Sequence, residues 1–323
     1  VIDLGARVAR ALESGEVRRS LATVGLARAW GAVSSRSVVR SLDVPAHVRA
    51  VCVGGATLGG SGKTPLAIAC ALEYAARGER VALIGHAYRA RPHAARVVRC
   101  EDSIDDVGDE ALVCARALAP TKASVVVGPT RRAAIELATT FADRLILDGV
   151  AQTAPLRSHL ALLAVDASEP WGADDVPPLG DLRAPKGALL DACDTVVAVA
   201  DPLGSGSPPA GARVVEIASS GVHVEGEGVS WRALRGVDVG LVTALARGDR
   251  IARFLALRGV TPRCIVTGRD HVTPKPRPAT AHPKVALWLA SAKCASHLPP
   301  TLSGIPVATI DYALNREALS WLP

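Results

Sequence analysis

Residues 51–89 read VCVGGATLGGSGKTPLAIACALEYAARGERVALIGHAYR, in which glycines at 54, 55, 59, 60 and 62 precede Lys63 and Thr64, and an alanine- and leucine-rich run follows. A glycine-rich turn between a buried strand and a helix aims backbone N–H groups at one spot. The helix start adds positive dipole character there, which suits a phosphate. Lys63 supplies mobile charge for β- and γ-phosphates and Thr64 a hydroxyl for Mg²⁺, the division of labour found in a P-loop. The strict G-x-x-x-x-G-K-[ST] pattern asks for glycine at position 57, where Thr57 stands. Thr57, Gly59, Gly60, Ser61, Gly62, Lys63 and Thr64 are therefore the expected nucleotide-binding set, against the weaker alternative of a plain glycine-rich turn. A dinucleotide fingerprint does not fit, because Pro65 replaces the third glycine after Gly60 and Gly62.

A P-loop also needs a carboxylate at the end of a neighbouring strand to orient the metal. The stretch RLILDG ends with Asp148 in that position. The competing reading is an ordinary Asp-Gly turn. Thr64 and Asp148 are the expected metal-holding pair.

The elements that position these residues follow from hydrophobic patterning. HVRAVCVGG reads as a buried strand, GKTPLAIACALEYAARG as a helix stopped by Gly78, and RVALIGHAY as the next strand. Strand, helix and strand in so short a span make a βαβ unit with a parallel sheet and right-handed crossover. The alternation continues through DEALVCARALA, ASVVVG, TRRAAIELATTFA, DRLILDG and LALLAVDA. The expected fold class is α/β, a P-loop-type doubly wound and mainly parallel sheet with a second, smaller α/β domain. The Pro/Gly-rich stretch EPWGADDVPPLGDLRAPKGAL is long enough for a functional loop, and PLGSGSPPAGA suits a linker. The expected division is basic amphipathic helices at 1–44, a P-loop domain at 45–201, linker and hairpin at 202–229, and a smaller domain at 230–323.

Composition narrows the partners. The 323 residues are 49% hydrophobic, enough for a sizeable core, and only 3% aromatic. A formal charge of +6 favours anionic partners: phosphate, nucleic acid or an anionic membrane surface. Two Phe, three Tyr and five Trp leave little to stack on bases, and no nucleic-acid-binding signature is present, so nucleic acid is not an expected partner. Seven scattered cysteines without a C-x-x-C spacing argue against a disulfide framework or zinc site and for a reducing compartment. No apolar run is long enough to cross a bilayer, and a secretory leader is not evident. The expectation is a chain neither secreted nor membrane-spanning. Leu4, Val8 and Leu12, with Arg7, Arg10, Arg18 and Arg19 nearby, suit either a helix lying on anionic lipid or one docked on the core.

These pieces resemble the tetraacyldisaccharide 4′-kinases, the P-loop kinases of lipid A biosynthesis. VGGATLGGSGKTPLA is similar to that family's T-x-G-G-x-G-K-T-P loop, including the non-glycine position at Thr57. VGDE, VVVGPTRRAA, DG at 148–149, GDLRAP, VTALARGDRIARFL and GRDH follow in the family's order. The resemblance spans about residues 45–295 and implies ATP and Mg²⁺ as cofactors. It also implies γ-phosphoryl transfer to the 4′-hydroxyl of a lipid disaccharide 1-phosphate, giving lipid IVA. A monomer bound peripherally to the cytoplasmic face of the bacterial inner membrane is the implied setting. By the same resemblance Asp109 is the base that deprotonates the sugar hydroxyl, working with His271, while Lys63 and Asp148 serve catalysis. Arg183 and Tyr88 would contact substrate. Against these stand a helix-capping Asp109, a surface-loop His271 and a solvated Arg183. The chain departs from the family where GHAYR replaces S-R-G-Y-G, where Leu147 replaces the first aspartate of D-D-G, where Gln152 falls one place late, and where SAKC keeps only Lys293 of T-x-K-D. Two other readings stay open: a divergent nucleotide-binding homologue with a changed substrate or lost catalysis, and a P-loop switch or assembly ATPase.

Overall fold

The structure, a computed structural model, describes residues 11–87, 90–244, 248–268 and 284–323. The chain forms two compact units. The larger comprises residues 11–200, 206–216 and 314–323, and the smaller has its described part within 201–205 and 217–313.

In the larger unit the strands are β1 (Val39–Ser41), β2 (Arg49–Gly55), β3 (Val81–Ile84), β4 (Arg96–Val97), β5 (Ser124–Val127), β6 (Arg144–Asp148), β7 (Gln152–Ala154), β8 (Leu160–Asp166), β9 (Thr195–Ala200) and β10 (Arg213–Ala218). The smaller unit follows with β11 (Gly221–Val224), β12 (Glu227–Ser230), β13 (Val239–Thr243), β14 (Cys264–Thr267), β15 (Leu287–Ala290), β16 (Thr301–Leu302) and β17 (Ile305–Ile310), before a last short strand, β18 (Ala313–Leu314).

A nine-stranded sheet runs β18-β10-β9-β8-β2-β6-β3-β5-β4. Its pairs from β10 through β5 are parallel, and β4 joins β5 antiparallel. Parallel strands covered on both faces read as near-continuous apolar runs, as β2, β6 and β8 do. The chain leaves β2 toward β3 and β5, returns to β6 beside β2, then passes to β8 on the other side. That reversal puts the carboxyl ends of β2 and β6 at the switch point, where α/β sheets hold ligands. The doubly wound arrangement expected from the sequence is present, and a smaller mixed sheet, β12-β11-β17-β15-β13-β14, forms the second α/β unit.

The helix Lys63–Ala76 covers the sheet with Leu66, Ala67, Cys70, Ala71 and Tyr74, spaced for one helical face. A buried side chain the size of Leu66 contributes about 2 kcal/mol. The helix Leu21–Ser37 starts at a capping box between Ser20 and Thr23 and turns Ala27, Gly31 and Ser34 inward. A Cβ on Gly31 would lie 3.2 Å from Pro185 Cγ, so glycine lets the helix sit close to that loop.

Two segments sit differently from the sequence division. The hairpin β11–β12 is an integral edge of the smaller sheet, because Val222 and His223 pair with Ile310 and Thr309 of β17. Residues 314–323 belong to the larger unit: Asn315 N–H donates to Glu216 O at 2.8 Å, and Leu319 and Leu322 are buried. Neither pairing has a local sequence signal.

Candidate active site

At the end of β2 the chain turns through residues 56–62 and enters the helix at Lys63. Gly62 caps that helix at φ +78°, and a Cβ there would lie 2.8 Å from Val199 Cγ2, so conformation and space both demand glycine. Gly55 answers a second close approach, since its Cβ would lie 2.2 Å from Ser61 Oγ. Thr57 is buried and its Oγ1 donates to Gly59 O at 2.7 Å. That bond satisfies the hydroxyl inside the loop and shows how a side chain is accommodated where the strict pattern has glycine.

The loop is braced from outside. Leu58 N–H donates to Asp181 O at 2.8 Å and Arg183 N–H to Ala56 O at 2.9 Å, with a bridge between Thr57 and Leu182. Arg183 adds Nε to Thr57 O at 2.8 Å and Nη2 to Leu58 O at 3.2 Å. Burial pushes its guanidinium below the usual value, while Glu110 and Asp148 pull it back up. The sequence marks Arg183 as a substrate contact. In the structure two of its nitrogens are committed to the first half of the glycine loop.

Facing the helix start, Lys63 Nζ donates to Thr64 Oγ1 at 3.2 Å and stands 3.7 Å from Glu110 Oε2 and 3.9 Å from Asp148 Oδ1. Thr64 Oγ1 donates to Asp148 Oδ2 at 2.8 Å. Asp148 is buried, and among the described residues its Oδ1 has no hydrogen-bond partner. An ionised oxygen left so is costly, and a hard cation beside Thr64 would satisfy it. Among the described residues no cluster of three or more His, Cys, Asp or Glu could hold a metal alone. A Mg²⁺ ion held by one or two protein oxygens, phosphates and water fits the pair Thr64 and Asp148.

Asp109 is buried as the first residue of the helix Asp109–Leu118, after Gly108 at φ +87°, and its Oδ1 accepts from Glu110 N–H at 2.7 Å. Glu110, against Lys63, brings this helix start to the glycine loop. Tyr88, Arg89 and His271 lie outside the described residues. Leu147 is fully buried in a cluster with Cys52, Ile84 and Ile135, so the strand's alternation leaves Asp148 as the single strand-end carboxylate. Gln152 is a buried bolt, its Oε1 accepting from Thr153 N–H, Ser158 N–H and Ser158 Oγ at 2.7–3.0 Å.

Sequence reasoning missed Glu110, Arg131 and His86. Glu110 stands beside Asp109 in VGDE, and only the ion pair to Lys63 distinguishes it. Arg131 Nη1 donates to Asp148 O at 2.8 Å, whereas the adjacent Arg132 pairs with Asp43, and nothing in GPTRRAA separates the two. His86 follows β3. Desolvation lowers its pKa, Arg131 and Lys63 add to that, and Glu110 and Asp148 oppose it.

Residues 20–286 match the family model described as LpxK, tetraacyldisaccharide-1-P 4′-kinase. Relatives named tetraacyldisaccharide 4′-kinase from Brucella ovis and Brucella suis are 37% identical over 169 residues, which cover 52% of this chain and 48% of each relative. The chain thus spans about half the length of the curated relatives it matches. A crystal structure of the "apo" form of LpxK from Aquifex aeolicus in complex with ATP is similar with a TM-score of 0.64, covering 92% of this chain and 97% of that one. At 17% identity that likeness is one of fold.

Proposed function

The chain belongs to the tetraacyldisaccharide-1-P 4′-kinase family, and from that premise we propose that it transfers the γ-phosphoryl group of ATP to the 4′-hydroxyl of a tetraacyldisaccharide 1-phosphate. The observation that carries this reading is the convergence of Lys63, Thr64 and the under-bonded Asp148 at the carboxyl ends of β2 and β6, beside the glycine loop.

In the transfer a bond forms between the acceptor oxygen and the γ-phosphorus while the bond to the β–γ bridging oxygen breaks, releasing ADP. Lys63 neutralises charge on the moving group. Loop amides hold the phosphates, and Arg183 keeps the loop in shape through the carbonyls of Thr57 and Leu58. Thr64 and Asp148 would hold Mg²⁺, which supplies further neutralisation of phosphate charge. A sugar hydroxyl is a poor nucleophile at neutral pH, so Asp109 takes its proton, with His271 as the partner implied by the family.

The same reading extends to the membrane. Among the described residues no helix is long and apolar enough to cross one. The helix Leu21–Ser37 exposes Leu26, Trp30 and Val33 at helical spacing, and Arg28 and Arg36 are also exposed, a combination suited to an anionic lipid surface on the cytoplasmic side. Beside it a groove of about 500 Å³, lined by Val24, Ala27, Val176 and Leu179 as well as Arg19 and Arg28, suits an acyl chain.

Labelled ATP offered with the detergent-dispersed disaccharide 1-phosphate tests the reading. Label should appear in the glycolipid, and ATP hydrolysis without labelled lipid would sink the proposal. Asp109→Ala should lower kcat by about 10²- to 10⁴-fold with an unchanged circular dichroism spectrum. Full turnover in that variant removes Asp109 from the base role.

A further inference from the structure

Consecutive carbonyls in the first half of the glycine loop accept hydrogen bonds from the protein's own donors. Ala56 O takes Arg183 N–H at 2.9 Å, Thr57 O takes Arg183 Nε at 2.8 Å, Leu58 O takes Arg183 Nη2 at 3.2 Å and Gly59 O takes Thr57 Oγ1 at 2.7 Å. A trans peptide points its carbonyl and the following N–H opposite ways, so the hold on Leu58 O turns the Gly59 N–H away from Arg183. Backbone N–H groups aimed at the ligand are what a glycine loop offers a phosphate, and a loop that must first be ordered binds more weakly.

What sets residue 183 in place is the turn before it. Leu182 N–H donates to Asp175 O at 2.9 Å and Gly180 N–H to Val176 O at 3.1 Å. A Cβ on Gly180 would lie 2.4 Å from Asp175 O, so the turn closes too tightly for any side chain there. The carboxylate of Asp181 is buried, and its Oδ1 accepts from Ala173 N–H at 3.1 Å. The backbone carbonyl of the same residue accepts from Leu58 N–H at 2.8 Å. Asp181 therefore ties the turn with its side chain and the glycine loop with its main chain. The phosphoryl transfer itself makes no use of this carboxylate.

We propose that Asp181 is a positioning residue for the nucleotide: its buried carboxylate fixes the turn at 173–183, and the turn shapes the glycine loop before ATP arrives. This rests on the nucleotide-binding half of the kinase reading and is independent of which acceptor is used. Asp181 acts on the grip on ATP and leaves the grip on the acceptor alone.

Calorimetry with a non-hydrolysable ATP analogue and Mg²⁺, in the absence of acceptor, tests it. Asp181→Ala should bind the analogue about tenfold more weakly. Asp181→Asn keeps an acceptor oxygen for Ala173 N–H and should stay within about threefold of the parent. In the nucleotide-free protein, amides of residues 56–60 should exchange with solvent about tenfold faster in Asp181→Ala, with those of β6 and β8 unchanged. In turnover, KM for ATP should rise with KM for the acceptor unmoved. Unchanged analogue binding in Asp181→Ala overturns the role, as does an Asp181→Asn protein that binds as weakly as Asp181→Ala. Faster exchange throughout the larger unit would assign the carboxylate to folding alone and overturn it too. A protein that labels no glycolipid yet shows the loss and rescue of analogue binding keeps Asp181 in this role and overturns the acceptor half of the kinase reading alone.

Discussion

The two ends of the helix Lys63–Ala76 are built on opposite plans. Past its carboxyl end, Arg77 donates Nε to Glu73 at 2.9 Å, Nη1 to Leu322 O at 2.7 Å and Nη2 to Ser320 O at 3.2 Å. Arg144 holds Glu79 through two nitrogens at 2.8 and 3.2 Å and lies 4.1 Å above the Tyr74 ring, whose hydroxyl burial pushes up to about 12. At the amino end Lys63 stands 3.7 and 3.9 Å from two carboxylates, and among the described residues one buried oxygen of Asp148 has no hydrogen-bond partner. One end saturates its cations with the chain's own carbonyls and carboxylates. The other sets Lys63 at ion-pair distance from two carboxylates and, among the described residues, leaves Asp148 Oδ1 without a hydrogen bond, an atom that a metal could complete.

That contrast can be broken at either end. The largest effect is expected from Lys63→Ala, which should cut turnover by about 10³-fold while the melting temperature stays close to that of the parent. A variant that melts early and keeps its turnover would make Lys63 a structural residue and erase the contrast. Next comes Leu147→Asp, which restores a carboxylate pattern but buries it among Cys52, Ile84 and Ile135. It should cost about 3 kcal/mol in denaturant unfolding. Unchanged stability would mean that the strand end tolerates a second charge and that Leu147 is not committed to the core.

A smaller effect belongs to the saturated end. Arg77→Ala should lose about 1–2 kcal/mol of stability by freeing the carbonyls of Leu319, Ser320 and Leu322, with KM for ATP unmoved. A shift in KM with no loss of stability would reverse the assignment of the two ends. The smallest concerns His86, whose folded pKa is lowered. The unfolded chain then takes up the proton first, so stability is lost as pH falls through about 6.5. In His86→Gln the loss of stability between about pH 7 and 5.5 should be shallower. Equal slopes in both proteins would show that the imidazole does not feel this site.

Sequence alone determined the elements whose signal is local. Buried parallel strands appear as apolar runs, the helices between them by their periodicity, and the glycine loop with Lys63 and Thr64 as one contiguous stretch. Asp148 was legible because it ends an apolar run just before a glycine. Tertiary structure decided what depends on residues far apart in the chain. The brace from residues 180–183 onto the loop, Glu110 against Lys63, the return of residues 314–323 to the larger unit, and the difference between Arg131 and Arg132 all arise from contacts that no nearby spacing encodes. The reason is physical: period and propensity report on neighbours within a turn or two, while the partner of a charge is set by which strand ends the sheet order brings together.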